Sequence, residues 1–330
     1  MGALASASIQ AFAAPTPHYA VINRFPISGN EGWDYLSVDS ANHHLFISRS
    51  GRVAVMNTMT GKMVGEISKL QGVHGIAIAG KLGKGFISNG RGNSVTVFDL
   101  KSFATEKTIA VGQNPDAILF DSKTDRVLTM NGGSNDITVI NPMLGKVIGT
   151  IKVSGRPEFA MADGTGNIYL NIEDKSLVEK IDILGMKSLG TMPLAPGEEP
   201  SGMAIDNRRH LVFSVCGNKM MTILNVQTKK LAATAPIGDG PDAAGYDPKL
   251  ELAFSSNGET GTMTVVGQVS GKWKAIQEVK TQKSARTMIL DPKTHLIYLI
   301  AADYVPAAPG ERWGHPKPGS TVIIVVGPKA

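Results

Sequence analysis

The sequence predicts an all-β fold, a seven-bladed β-propeller of four-stranded blades. Three observations carry that expectation. One short segment recurs seven times at near-constant spacing. Each copy is followed by further β-rich runs separated by turns. The last copy lacks a final run, and the start of the chain can supply it.

The recurring segment is a turn with Gly or Pro, one polar residue, four mostly apolar residues and usually Asp. It ends at Asp39, Ala79, Asp121, Asp163, Asp206, Asp247 and Asp291, with spacings of 40, 42, 42, 43, 41 and 44 residues. A second run then follows a polar turn, as HLFIS, KGFIS, RVLTM, NIYL, HLVFS, ELAFS and HLIYL. A third run follows, as in SVTVFDL and DITVIN, and a fourth as in KVIGTIKV. These runs are rich in Val, Ile, Phe and Thr, are bounded by Gly, Asn and Asp, and sustain no helical period. The last unit offers strands around Arg286–Leu290, Leu296–Ile300 and Thr321–Val326. Its missing outer strand is expected from His18–Ile27, which pairs the two ends of the chain in one blade and removes an open sheet edge.

Composition agrees with a well-cored globular chain. It is 42% hydrophobic and 18% charged, with 37 Gly and 18 Pro spread along its 330 residues as expected for many turns. No apolar run reaches the length of a membrane-spanning helix. Cys216 is the single cysteine, so neither an intrachain disulfide nor a cysteine-based zinc site can form. Lys and Arg number 33 against 28 Asp and Glu, a basic excess too small to demand a nucleic-acid partner. Residues 2–14 are small and apolar and end Ala-Phe-Ala-Ala before Pro15. Residues 1–17 therefore read as a signal-peptide remnant and linker ahead of one propeller domain, 18–330, and imply a periplasmic or secreted protein, expected as a monomer.

With these repeats the chain resembles the YVTN-repeat β-propellers, the bacterial YncE-like family. The Tyr-Val-Thr-Asn signature of the second strand has its counterparts in Phe86-Ile87-Ser88-Asn89, Leu128-Thr129-Met130-Asn131 and Phe254-Ser255-Ser256-Asn257. The Gly-x-x-Pro approach to the first strand appears as Gly112-Gln113-Asn114-Pro115-Asp116 and Gly238-Asp239-Gly240-Pro241-Asp242. The resemblance spans residues 18–327 and implies the fold and export. Related propellers include DNA binders, lactonases and lyases, so it implies no single activity.

Repeat alignment places two rings of side chains on one face of the propeller. The first, at the start of the inner strands, is Asp34, His74, Asp116, Glu158, Ser201, Asp242 and Arg286. The second, at the end of the second strands, is Arg49, Asn89, Asn131, Asn171, Cys216, Asn257 and Ala301. A purely structural position would repeat, whereas the first ring varies in charge and chemistry. Arg286 lies between Asp242 and Asp34 in blade order, as expected for an ion-pair cluster. Asp116 and Glu158 have no Arg beside them. Such a pair either shares a proton, holds a cation with His74, or remains as solvated carboxylates. Oxygen ligands with one imidazole suit Ca²⁺, Mg²⁺ or Mn²⁺, and Asn131 and Asn171 could add carbonyl oxygens.

Residues 303–319, DYVPAAPGERWGHPKPG, form an insertion between the second and third strands of the last unit. It carries Tyr304, Arg312, Trp313 and His315 to the same face, as a lid or as a cover packed on neighbouring blades. His43, His44, His210 and His295 read as turn residues, and Cys216 has no base beside it in sequence. No phosphate-binding Gly loop or HExxH or GxSxG motif occurs.

Three functions follow. The first is an exported propeller that binds a small polar ligand or divalent cation in its funnel. Its metal ligands are His74, Asp116 and Glu158, and Asp34, Asn89, Asn131, Asn171, Asp242, Arg286, Trp313 and His315 line the ligand. The second is a metal-assisted hydrolase or lyase in the same funnel, with His74 and Glu158 as catalytic groups. The third is a nucleic-acid binder, which the acidic first ring disfavours because it repels phosphates.

Overall fold

The computed structural model describes residues 17–306 and 314–329. The signal-peptide reading therefore falls on residues 1–16 outside this range, and so do Arg312 and Trp313. Seven four-stranded antiparallel sheets account for nearly all regular structure. Blade 2 is typical: Val73–Ala79 innermost, then Lys84–Asn89, Ser94–Asp99 and Thr105–Ala110. Innermost strands of consecutive blades touch around the whole circle, and Leu36–Asp39 of blade 1 meets Met288–Asp291 of blade 7. No helix among the described residues is long and apolar enough to cross a membrane.

The repeated Asp is a turn residue. Its Oδ1 accepts the N–H groups that follow, from Ala41 to Asp39 at 3.0 Å, Arg208 to Asp206 at 3.0 Å and Lys249 to Asp247 at 3.0 Å. A short side chain that satisfies the turn backbone explains why this position persists from blade to blade. His43, His210 and His295 each adopt the left-handed conformation, with φ of 56°, 55° and 62°, in the hairpin after the inner strand.

Packing is between blades rather than within them. Seven apolar clusters lie one at each blade interface, such as Phe46, Val55, Ile76 and Ile87 between blades 1 and 2. In each blade the alternate residues of the two middle strands supply both faces, so these strands read as continuous apolar runs.

Closure follows the expected scheme. Tyr19–Pro26 pairs antiparallel with Val322–Pro328 and becomes the outermost strand of blade 7. Tyr19 anchors it: fully buried, its ring stands 4.9 Å from Phe254 in an edge contact and its hydroxyl reaches the His295 carbonyl at 3.3 Å. Tyr19→Ala should cost about 3–5 kcal/mol, the usual penalty for removing a buried aromatic ring. Ile22→Ala on the same strand, half exposed, should stay within about 0.5 kcal/mol of the parent. Urea denaturation followed by circular dichroism measures both, and equal effects would contradict the anchoring role.

Candidate functional site

Local backbone geometry aims the first ring. The pairing register of the inner strand slips at the ring residue itself in five blades, between Val73/Ile76, Pro115/Ile118, Pro157/Ala160, Pro200/Met203 and Pro241/Ala243. Such bulges re-aim a side chain and sharpen the local twist. Hydroxyls on the second strands then pin the ring backbone. Ser88 Oγ accepts from the Gly75 N–H at 2.8 Å and donates to the Asp116 carbonyl of the next blade at 2.5 Å. Ser48 Oγ accepts from the Asp34 N–H at 2.8 Å, and Ser256 Oγ donates to the Arg286 carbonyl.

Three of the ring side chains converge. His74 Nδ1 lies 2.5 Å from Asp34 Oδ2 and 3.5 Å from Asp116 Oδ1. One ligand-capable atom from each of the three falls within 4.8 Å of the others. Asp116 Oδ1 is buried and has no hydrogen-bond partner among the described residues. On the other side of Asp34, Arg286 pairs with Asp242, approaches Asp34 Oδ1 at 3.5 Å and donates to the Trp33 carbonyl at 3.1 Å. The expected Asp242–Arg286–Asp34 cluster is thus present, and Asp34 joins it to His74.

The convergent trio differs from the expected set of metal ligands. His74 and Asp116 come together with Asp34, while Glu158 stands outside the group. Glu158 sits on the next blade and interacts with Asp116 and Glu173 through charge alone. Ser201 donates its hydroxyl to the Pro241 carbonyl at 3.1 Å.

Electrostatics follow from four carboxylates in a half-closed funnel. Burial, then the charge of Asp34, pushes the Asp116 carboxyl up to about 7. Burial and the field of Asp116 hold Glu158 well above the usual carboxylate range. Burial also raises Asp242, against the opposing pull of Arg286. For His74, burial disfavours the charged ring, but the hydrogen bond to Asp34 and the nearby carboxylates outweigh it and raise the imidazole above its ordinary value.

The second ring behaves differently. Asn89 Nδ2 donates to Thr96 Oγ1 at 2.9 Å, Asn131 Nδ2 to Asp136 Oδ1 at 2.8 Å and Asn257 Nδ2 to Thr264 Oγ1 at 2.9 Å. Asn171 bridges to the Ser201 carbonyl of blade 5 at 2.7 Å. All four are buried, so these amides brace the blades, whereas alignment alone had placed them on the funnel wall. Arg49, buried in the same ring, pairs with Glu31 at 2.9 Å. Burial pushes the Cys216 thiol up to about 11, which leaves it unreactive near neutral pH.

Of the insertion, Tyr304–Val305 and His315–Pro316 pair as a short hairpin. The Tyr304 ring meets Trp33 edge-on at 5.9 Å. This places the hairpin stem beside the residue whose carbonyl receives Arg286.

Sequence reasoning passed over Tyr35 and Phe159. They stand one residue past the ring, where the other blades carry Gly75, Ala117, Gly202, Ala243 and Thr287. Two aromatics among small residues at a repeat position were the available signal. Tyr35 belongs to blade 1 yet packs with Ala117, Ala160 and Ile172 of blades 3 and 4, and its ring lies 5.3 Å from Phe159. The two side chains therefore cross the central axis beneath the carboxylates. Burial and the fields of Glu158, Asp116, Asp34 and Asp242 hold the Tyr35 phenol well above its usual range.

Fold and site together define a seven-bladed propeller with an acidic, histidine-bearing funnel over an aromatic septum. Among solved structures the chain is similar to Kuenenia stuttgartiensis hydrazine synthase, at 16% identity over 74% of this chain and 97% of that one, with a TM-score of 0.54. At that identity the likeness shows the propeller fold alone. No protein-family model and no curated protein matches the sequence.

The raised Asp116 carboxyl has a consequence for stability. The folded protein keeps a proton that the unfolded chain, with an ordinary value of 3.8, would release. This group's contribution is therefore fully present below pH 4 and is lost as pH rises through 7, with a slope of at most about 1.4 kcal/mol per pH unit. Asp116→Asn should flatten the fall in stability between pH 5 and pH 8. Denaturation curves at both values test this, and an unchanged slope would contradict the assignment.

Proposed function

We propose that the protein is an exported propeller that takes a divalent cation at Asp34, His74 and Asp116 and, through that cation, a small polar ligand at the funnel mouth. The observation that carries this reading is the convergence of two carboxylates and one imidazole around Asp116 Oδ1, which lies 3.5 Å from His74 Nδ1 and accepts no hydrogen bond from the described residues. The donor set is mainly oxygen with a single nitrogen, which suits Mn²⁺, Ca²⁺ or Mg²⁺ better than zinc or copper, which prefer more nitrogen or sulfur.

Charge supports the same reading. Protons hold the trio together: one lies on the short His74–Asp34 contact, and Asp116 retains another up to about pH 7. A divalent cation replaces those protons and supplies, in contact with Asp116, the positive charge that Arg286, paired with Asp242 and Asp34, brings to it only from a distance. Glu158 would act as an outer carboxylate, adding field without a bond to the metal. The polar ligand would meet the cation from the open side, beside Arg286 and the Tyr304 hairpin stem. The same acidic funnel repels phosphates, so nucleic acid is disfavoured here. Export rests on the small, apolar N-terminal residues that end in Ala-Phe-Ala-Ala.

Because metal competes with protons, cation affinity should rise with pH up to about 7, by roughly tenfold per pH unit for each proton displaced, and level off above. Added Mn²⁺ or Ca²⁺ should raise the melting temperature at pH 8 and do little at pH 5. His74→Ala or Asp116→Asn should abolish the shift, and Glu158→Gln should only weaken it. Calorimetric titration and thermal melts give both readings. The absence of a shift from Mn²⁺, Ca²⁺ and Mg²⁺ at pH 8 would overturn the proposal.

A further inference from the structure

Below Tyr35 and Phe159 the axial channel changes character. Together with those two rings, residues of all seven blades line a chamber of about 270 Å³, with walls that include Ile76, Ile118, Met161, Met203, Ala244 and Ile289. None of the ring carboxylates, nor His74 or Arg286, lines it. Of the three polar side chains that line it, Tyr35, Ser37 and Tyr246, the last two are already engaged. Ser37 Oγ donates to the Ile76 carbonyl at 2.5 Å, and the Tyr246 hydroxyl donates to Asp206 Oδ2 at 2.7 Å. Water in such a space would have few side-chain partners.

The chamber is also reachable. Met161, Ile205 and Ile289 stand near the far ends of their inner strands, two, one and two residues before Asp163, Asp206 and Asp291, and remain partly exposed. Apolar walls thus open toward the face opposite the carboxylates. The aromatic pair, with Tyr35 buried, closes the end next to the funnel.

We propose that this chamber is a second binding site, for a compact apolar molecule that enters from the face opposite the carboxylate funnel. Apolar cavities of ~150 Å³ take up benzene, so on the same measure this chamber suits a hydrocarbon-like ligand of roughly ten heavy atoms. The driving force is removal of the ligand and the half-covered Met161, Ile205 and Ile289 side chains from water. This site stands independently of the cation reading, because no residue of the charged ring forms its wall.

Fluorobenzene is a suitable probe, and methionine methyl groups are built-in reporters. Met161, Met203 and Met288 line the chamber, while Met59 and Met143 are 71% and 69% exposed on outer turns. In protein carrying ¹³C-methyl methionine, fluorobenzene should shift the three chamber methyls saturably and leave Met59 and Met143 in place. Asp116→Asn should leave that titration unchanged, which separates failure of this site from failure of the cation site. Met161→Trp and Ile289→Trp should each weaken binding by roughly tenfold or more through overfilling, and the methyl map of the parent protein decides the matter even if neither variant folds. Absence of saturable shifts up to the solubility of the probe, or equal shifts at Met59 and Met143, would overturn the proposal.

Discussion

Hydrogen bonding between Tyr19–Pro26 and Val322–Pro328 holds the two ends of a 330-residue chain in one sheet, and the site depends on that closure. Asp34 belongs to the first blade and Arg286 to the last. Their 3.5 Å approach, and the 2.8 Å bond from Thr287 Oγ1 to the Asp34 carbonyl, both cross the junction where the circle closes. An open array of the same blades would separate Asp34 from Arg286 and leave that guanidinium paired with Asp242 alone. Closure is therefore an electrostatic device as well as a way of hiding a sheet edge.

The charge inside the ring is unevenly balanced. Arg286 serves Asp242 and Asp34 on one side, and its own affinity for a proton rises because those two charges outweigh the cost of its burial. Across the funnel, Asp116 has His74 beside it and feels Arg286 only at longer range, and His74 is drawn toward Asp34. The result is a gradient from a compensated side to an uncompensated one. A neutral polar ligand would feel little of it, whereas a cation would be guided to the Asp116 side.

The fold was legible in the sequence because blade periodicity is written in turn chemistry. An Asp that must accept two backbone N–H groups, and left-handed residues such as His210 and His295, recur wherever the same turn recurs. The ring at the start of the inner strands was legible for the same reason, since alignment gives a position. Alignment does not give a direction. Glu158 occupies the same repeat position as Asp34, yet the trio closes on Asp34, because His74 on blade 2 stands between Asp34 of blade 1 and Asp116 of blade 3, and Glu158 lies one blade further on. The Asn ring shows the same limit. Each of Asn89, Asn131 and Asn257 finds a Thr two positions along the next strand of its own blade, and Asn131 also meets Asp136 directly opposite it. The hydroxyl partners Thr96, Thr138 and Thr264 were visible as a repeat, but only in the third strand, away from the ring.

Tyr35 and Phe159 link the two compartments through the dielectric rather than through a bond. Burial is the leading cause of the raised values at Asp116, Glu158 and Asp242, and burial from below is provided by these two rings and the apolar chamber beneath them. A water-filled channel at that level would solvate the carboxylates and return them toward ordinary acidity. The septum also explains why large aromatics are tolerated at only two of seven equivalent positions. Gly202 lies so close to the Ala243 backbone that even a methyl group would collide, at 2.6 Å, and Gly75 is held less tightly, at 3.0 Å from the Ile118 side chain and 3.2 Å from the Asp116 carbonyl. The rings come from blades 1 and 4, almost opposite each other, and span the axis where neighbours would crowd. The weakened acidity of the funnel carboxyls thus depends on what lies beneath them, and filling the lower chamber with an apolar molecule would preserve their raised values, whereas flooding it would lower them.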